Sequence, residues 1–156
     1  MQQPFVPSDF VVPNPLEAPG FHLEPLGAHH NDRDYEAWMS SIEWIRSTPG
    51  YGPDSDWPVT MSLEANLGDL EMHARDYEDR VGFTYSVLDA DEVIGCVYNY
   101  PTTEPGFDAS VKSWVRVSRK EMDAVVHRTV MGWIGQHWPF DHPHHAERSN
   151  QTYLQP

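Results

Sequence analysis

Three consecutive segments with the two-residue alternation of β-strands constrain the fold more than any other feature of this chain. They lie between residues 82 and 117 and are joined by a four-residue turn at 89–92 and a loop at 101–106. Strands joined by such short connections pair antiparallel. In the third segment alternate residues belong to opposite faces: Val111, Ser113, Val115 and Val117 to one, and Lys112, Trp114 and Arg116 to the other. We therefore predict an antiparallel sheet with helices covering it.

Segments with helical periodicity flank this sheet on both sides along the chain. The spacing of apolar residues predicts helices over residues 32–47, 62–80 and 118–138, and a short strand over residues 21–26. Asn31 or Asp32 is positioned to cap the first helix, which a segment rich in proline and glycine ends at residues 48–53. The element order β, α, α, β, β, β, α predicts an α/β (α+β) fold, in which a mostly antiparallel central sheet is flanked by helices.

The two ends of the chain differ in composition from the middle. Residues 1–20 contain five prolines, which exclude a helix and predict a Pro-rich N-terminal arm whose apolar side chains favour docking on the domain. Residues 141–156 form a polar tail that contains histidines and carries no strong element, with at most one short strand near 146–154. Residues 21–140 are predicted to form the single domain.

The charge of the chain narrows the classes of partner. Its formal net charge is −14 at pH 7, from 24 acidic and 10 basic side chains. Such a surface repels nucleic acid and anionic membranes and attracts a small cationic amine. The chain has no run of 18 apolar residues, and no basic region followed by an apolar run begins it, so we expect a cytoplasmic protein. The single cysteine, Cys96, lies in an apolar stretch where a buried thiol is expected.

Several short motifs in this order resemble the GNAT superfamily of N-acetyltransferases. Val93, Ile94 and Gly95 resemble the Val-Ile-Gly of the superfamily's central hairpin, residues 83–87 are similar to the strand before it, and residues 16–26 resemble the opening strand. The match in element order covers about residues 16–140. The resemblance implies a GNAT fold and transfer of an acyl group from acyl-CoA to a small amine, with acetyl-CoA as the cofactor.

The resemblance also implies which residues contact acetyl-CoA. In the superfamily the fourth strand offers its backbone to the pantetheine arm, and a glycine-rich loop binds the pyrophosphate at the start of the next helix. By position these are Trp114, Val115, Arg116, Val117, Arg119 and Lys120.

The sequence departs from the superfamily's pattern in this loop and at the C-terminal end of the chain. Met122 stands at the Arg/Gln position, and no glycine occurs between residues 117 and 127. Ser118 and Glu121 have the spacing of a capping box, which would occupy the backbone donors a pyrophosphate needs. The chain ends before the superfamily's last strands, so the fold is predicted to be truncated at its C-terminal end. The alternative function is therefore a non-catalytic GNAT-fold binding module that no longer binds CoA, and a homodimer could complete the enzyme.

Candidate catalytic residues follow from position. Asp108 could act as a base, and Tyr98 and Tyr100 alternate on the hairpin and could line the substrate side. Asp69 and His73 are four residues apart and could pair. Four histidines lie near the C-terminus: His137, His142, His144 and His145. Their spacing fits no standard structural zinc site, so we expect no metal. A protein that binds metal through this tail is the third functional hypothesis.

Overall fold

In the computed structural model, which describes residues 4–148, six strands form one sheet in the order of the chain. They are β1 (Glu17–Ala18), β2 (Phe21–Pro25), β3 (Phe83–Asp89), β4 (Glu92–Tyr100), β5 (Ala109–Val115) and β6 (Pro143–His145). The first four pairings are antiparallel and β5 pairs with β6 in parallel. The predicted α/β fold with a mostly antiparallel sheet is confirmed.

Within residues 4–148, four α-helices cover the sheet: α1 (Asn31–Met39), α2 (Ile42–Ser47), α3 (Leu63–Glu78) and α4 (Asp123–His137). The single helix predicted over residues 32–47 is wrong, because the hydroxyls of Ser40 and Ser41 both bond the Ala37 carbonyl and end α1. The predicted cap is also wrong: His30 precedes α1, and the Asn31 amide donates to the Leu63 carbonyl instead. None of the helices in the described part of the chain is long and apolar enough to cross a membrane.

The predicted start of the last helix needs a further correction. Residues Val117–Met122 form a 3-10 segment, and α4 begins only at Asp123. The capping box of Ser118 and Glu121 does not form, since no side chain caps this segment. Its first amide is already used, because the Val117 N–H donates to the Ser41 hydroxyl at 2.9 Å.

The sheet separates two cores that follow the predicted alternation of β5. One face packs on α4 and carries Val111 and Val115, and the other packs on α1 and α2 and carries Cys96 and Trp114. The N-terminal arm docks on the first face, where Phe5 stacks on Phe140 at 5.0 Å between ring centroids. The buried thiol expected at Cys96 is confirmed.

Part of the polar tail joins the fold. β6 lies within it and pairs with β5, whereas the predicted short strand at 146–154 falls largely outside the described residues. The Arg148 side chain is 3% exposed and its Nε lies 2.7 Å from Oδ2 of Asp123, which is 1% exposed. The division of the chain at residues 20 and 140 stays a prediction.

Candidate functional site

A cavity of about 310 Å³ opens on the face of the sheet that packs on α1 and α2, between α1, α3, the loop over residues 48–62 and strands β4 and β5. Its lining includes two carboxylates, an imidazole and three aromatic rings: Asp34, Asp69, His73, Tyr51, Trp57 and Tyr98. Lys112, the β5 partner of Tyr98, contributes a cation at the rim. We refer to this cavity as the acidic pocket.

The aromatic wall of the acidic pocket is fixed by the core behind it. The Trp57 ring lies 5.3 Å from Trp38 and 5.8 Å from both Tyr51 and Trp114. The Trp114 Nε1–H donates to the Tyr98 hydroxyl at 3.1 Å. Rings held in this way present fixed faces to a bound cation.

Asp34 places a carboxylate at the buried side of the pocket. The Asn66 amide donates to Asp34 Oδ2 at 3.0 Å and to Asn31 Oδ1 at 2.9 Å, while its own oxygen accepts from Trp38 Nε1 at 3.1 Å. Burial raises the pKa of Asp34 to about 6, and the nearby charge of Asp69 acts in the same direction. A cationic ligand in the pocket would stabilise the ionised form.

This carboxylate predicts a pH dependence of stability. The folded pKa of Asp34, about 6, lies above its ordinary value of 3.8, so the unfolded chain loses this proton at lower pH. The contribution of Asp34 to the free energy of unfolding therefore falls as pH rises from about 4 to 6, by about 3 kcal/mol in total. Asp34→Asn is expected to lack this decrease when urea unfolding is measured between pH 4 and 8. Parallel curves for the two proteins would contradict the prediction.

His73 is held by a chain of hydrogen bonds. The Tyr100 hydroxyl donates to Asp76 Oδ2 at 2.8 Å, so it accepts from His73 Nδ1 at 2.7 Å. Burial lowers the pKa of His73 and favours the neutral ring. A neutral ring with its proton on Nδ1 leaves Nε2 as an acceptor. The expected pair with Asp69 is not formed, since Nδ1 bonds Tyr100 and approaches Thr84 Oγ1 at 3.2 Å.

The predicted cofactor strand lies beside the acidic pocket. Pairing of β5 with β6 ends at Val111, so the edge of β5 after this residue has no partner strand among the described residues. The carbonyls of Ser113 and Val115 both point to this edge, because they are two residues apart along the strand. Arg148 Nη2 donates to the Ser113 carbonyl at 2.8 Å, and Trp44 Nε1 donates to the Val115 carbonyl at 3.0 Å. Side chains of the protein itself therefore bond two carbonyls on this edge of β5, one of which belongs to Val115, a residue that the resemblance assigns to the cofactor.

Two of the three basic residues predicted to bind phosphates have carboxylate partners. Arg116 makes two bonds of 2.7 Å to Glu36, and Arg119 bonds Asp89 at 2.8 Å and Glu92 at 3.1 Å. Of the other cofactor candidates, Trp114 and Val115 are buried, and Val117 and Lys120 are exposed. Phosphates would have to compete with these carboxylates for the two guanidinium groups.

Two of the three candidate catalytic residues lie at or next to the acidic pocket. Tyr98 lines the pocket, and Tyr100 orients His73 through the hydrogen bond between its hydroxyl and His73 Nδ1. Asp108 lies elsewhere, where its carboxylate accepts from the backbone N–H groups of Asp141 and His142 at 2.8 and 3.0 Å. Its role as a base stays a prediction, and the observed contacts fix the loop before β6.

Sequence reasoning missed Asp34, Trp57 and Arg148. A signal for Asp34 was present, because it precedes Trp38 by four residues and so shares the buried face of α1. No local pattern marks Arg148, because its partner Asp123 is 25 residues away.

One cluster in the described residues has the composition of a metal site. Ligating atoms of Glu24, His29 and His30 lie within 4.8 Å of one another. However, His30 Nδ1 accepts from the Gly27 N–H at 3.2 Å, so the ring proton is on Nε2, which donates to Glu24 Oε1 at 2.9 Å. Both nitrogens of the His30 ring are therefore used in hydrogen bonds within the protein, and the expectation of no metal stays a prediction.

Comparison with known proteins supports the fold through structure alone. No protein-family model matches the chain, and no curated protein matches its sequence. Mycobacterium smegmatis RimJ in complex with CoA-disulfide superposes with a TM-score of 0.64 at 13% identity, over 90% of this chain and 69% of that one. RimL, a ribosomal L7/L12 alpha-N-protein acetyltransferase in complex with coenzyme A, gives a TM-score of 0.61 at 12% identity, over 79% of this chain and 68% of that one. The ribosomal-protein-S5-alanine acetyltransferase from Vibrio fischeri gives a TM-score of 0.56 at 14% identity, over 78% of this chain and 67% of that one.

These similarities confirm the GNAT fold predicted from the short motifs. The chain spans about two thirds of the length of each of the three structures. At this level of identity the likeness concerns the fold, and the chemistry has to be argued from the residues of this chain.

Proposed function

We propose that this chain is a GNAT-fold N-acyltransferase that transfers an acyl group from acyl-CoA to an amine bound in the acidic pocket. The observation that carries the proposal is the position of this pocket, which opens at β4 and β5 and is lined by Asp34, Asp69 and aromatic rings. Carboxylates and aromatic faces recognise ammonium groups, and a neutral imidazole can take a proton from one.

The acceptor is a small amine in this proposal. The pocket volume of about 310 Å³ and the net charge of −14 both favour a compact cation. Two of the similar structures are named as acetyltransferases of ribosomal proteins, so a peptide with a free N-terminus is the alternative acceptor. Both kinds of amine present the same ammonium group to the pocket.

Binding of acyl-CoA requires a local change at β5. The carbonyl edge that would receive the pantetheine arm is bonded by Arg148 and Trp44, and Arg119 is paired with Asp89 and Glu92. When bound, acyl-CoA supplies the activated acyl group, and this chain contributes the amine site and the strand edge. These same contacts favour the second candidate function, an amine-binding module of the GNAT fold that does not bind CoA.

Calorimetric titration with acetyl-CoA at low salt separates the two candidates. The enzyme proposal predicts micromolar affinity that is lost in Arg119→Glu and retained in Arg128→Glu, an exposed α4 position with the same charge change. A thiol-release assay with aliphatic amines and a short peptide then identifies the acceptor. Absence of binding at millimolar acetyl-CoA would reject the acyltransferase and leave the binding module.

A further inference from the structure

His73 is a firmly oriented polar group of the acidic pocket. Its Nδ1 bonds the Tyr100 hydroxyl at 2.7 Å, which in turn donates to Asp76 at 2.8 Å. The Tyr100 ring rests directly on the backbone of Gly82, where a Cβ atom would overlap it. A ring packed against backbone cannot shift easily, so the donor direction of His73 is fixed.

The other ring nitrogen of His73 is available to a ligand. His73 lines the pocket, and within residues 4–148 its Nε2 makes no hydrogen bond. Because the proton is on Nδ1, Nε2 presents a lone pair. The pocket therefore combines an acceptor atom with two carboxylates, Asp34 and Asp69, that attract positive charge.

The surroundings of His73 are suited to a ligand that is both cationic and an N–H donor. Asp69 and Asp76 face it from its own helix α3, while Tyr98 and Tyr100 face it from β4 and Thr84 from β3. The Tyr98 ring centroid lies 5.5 Å from that of His73. Lys112, the cation at the rim, is 5.9 Å from the Tyr51 ring.

We propose that His73 Nε2 accepts an N–H of the bound ammonium and takes its proton, so that the pocket selects primary and secondary amines over quaternary ones. Tyr100 and Asp76 are positioning residues that keep Nε2 directed at the ligand. The proton-transfer half rests on the proposed acyltransferase function. The selection half holds equally for the binding module.

The proton balance is simple. The ammonium gives one proton to Nε2, the imidazole becomes an imidazolium with Nδ1–H still on Tyr100, and the amine keeps its lone pair. In acyl transfer that lone pair forms the N–C bond while the C–S bond of the thioester breaks. The second proton lost from nitrogen leaves with the thiol, and the imidazolium returns its proton to solvent.

A matched pair of ligands tests the selection. n-Butylamine and n-butyltrimethylammonium carry the same charge and chain, but only the first has N–H donors. We expect the wild-type protein at pH 7.5 to bind n-butylamine roughly tenfold more tightly than the quaternary ion, as one hydrogen bond to a charged donor would give. In His73→Asn, whose amide can still donate to Tyr100, the ratio should fall to about one. His137→Asn, the same change at an exposed histidine, should keep the wild-type ratio.

A second readout does not depend on binding or activity. Imidazole ¹⁵N chemical shifts should assign the proton of His73 to Nδ1 in the wild type and show a mixture of tautomers in Tyr100→Phe. Equal affinities for the two ligands, no binding of either at millimolar concentration, or an Nε2–H tautomer would each overturn the proposal. Selection of n-butylamine by a protein without acyl-transfer activity would support amine selection by His73 and reject both the acyltransferase and the proton transfer that rests on it.

Discussion

Arg148→Met is expected to lower the free energy of unfolding by about 3–5 kcal/mol, the usual cost of removing one partner from a buried ion pair. The Asp123 carboxylate, 1% exposed, would lose its charged partner at 2.7 Å. The carbonyls of Ser113 and Ala146 would also lose donors at 2.8 and 2.7 Å. Methionine fills a similar volume, so the loss would report mainly on the charge and the hydrogen bonds.

Urea unfolding of four proteins measures this effect. The wild type, Arg148→Met, Asp123→Asn and the double variant form a cycle, in which the double variant should be less destabilised than the sum of the single ones. Arg128→Met makes the same change on the exposed side of α4 and should alter stability by less than about 0.5 kcal/mol. A cost below about 1 kcal/mol for Arg148→Met would show that water, and not the ion pair, satisfies Asp123.

The basic residues of this acidic chain mostly hold the fold together. Arg46 donates to the Pro58 carbonyl, and Arg80 fixes the N-terminal arm through two backbone carbonyls. Arg116 and Arg119 bind carboxylates, and Arg148 closes the open edge of β5. A phosphate-bearing ligand therefore competes with interactions that stabilise the protein. This competition is why acyl-CoA affinity, and not the fold, decides between the two proposed functions.

The parts of the fold set by local periodicity were predictable from sequence. The faces of β5, the β3–β4 hairpin and helix α3 follow from alternation and from the spacing of apolar residues. The break between α1 and α2 was not predictable, because it involves a tertiary contact. The Ser41 hydroxyl accepts a hydrogen bond from the N–H of Val117, which is 76 residues away in the sequence. The capping box does not form either: residues 117–122 make a separate 3-10 segment, whose first N–H bonds the same Ser41 hydroxyl.

The candidate site was predictable to a smaller extent. Alternation offered Tyr98 and Tyr100 as neighbours on one face of the hairpin; Tyr98 lines the acidic pocket, and Tyr100 bonds His73 of that lining. Helical spacing offered Asp69 as the partner of His73, but a hydroxyl from the sheet reaches the ring at 2.7 Å and takes that place. The pairing of His73 with Tyr100 joins residues 27 apart, which no local rule connects.

Gly95→Ala is expected to destabilise the protein by about 3 kcal/mol, because β4 and β5 approach each other at this residue without room for a side chain. Gly95 pairs with Val115, and a Cβ atom would overlap the Trp114 carbonyl oxygen and lie 3.1 Å from the Val115 Cα. Both obstacles are backbone atoms, so relief requires β4 and β5 to separate at the C-terminal end of β5. This contact gives a physical reason for a glycine after Val93 and Ile94.

Thermal and urea unfolding of Gly95→Ala should be compared with those of Gly132→Ala. Gly132 lies in the interior of α4, and a Cβ atom there would meet nothing within 4 Å. Alanine is the better helix former, so this control should gain about 0.5–1 kcal/mol. Opposite signs for the two variants are expected, since one glycine is required by packing and the other is not. If Gly95→Ala unfolded within about 0.5 kcal/mol of the wild type, β4 and β5 would be free to move apart at this pair, and the expected packing requirement for glycine would be wrong.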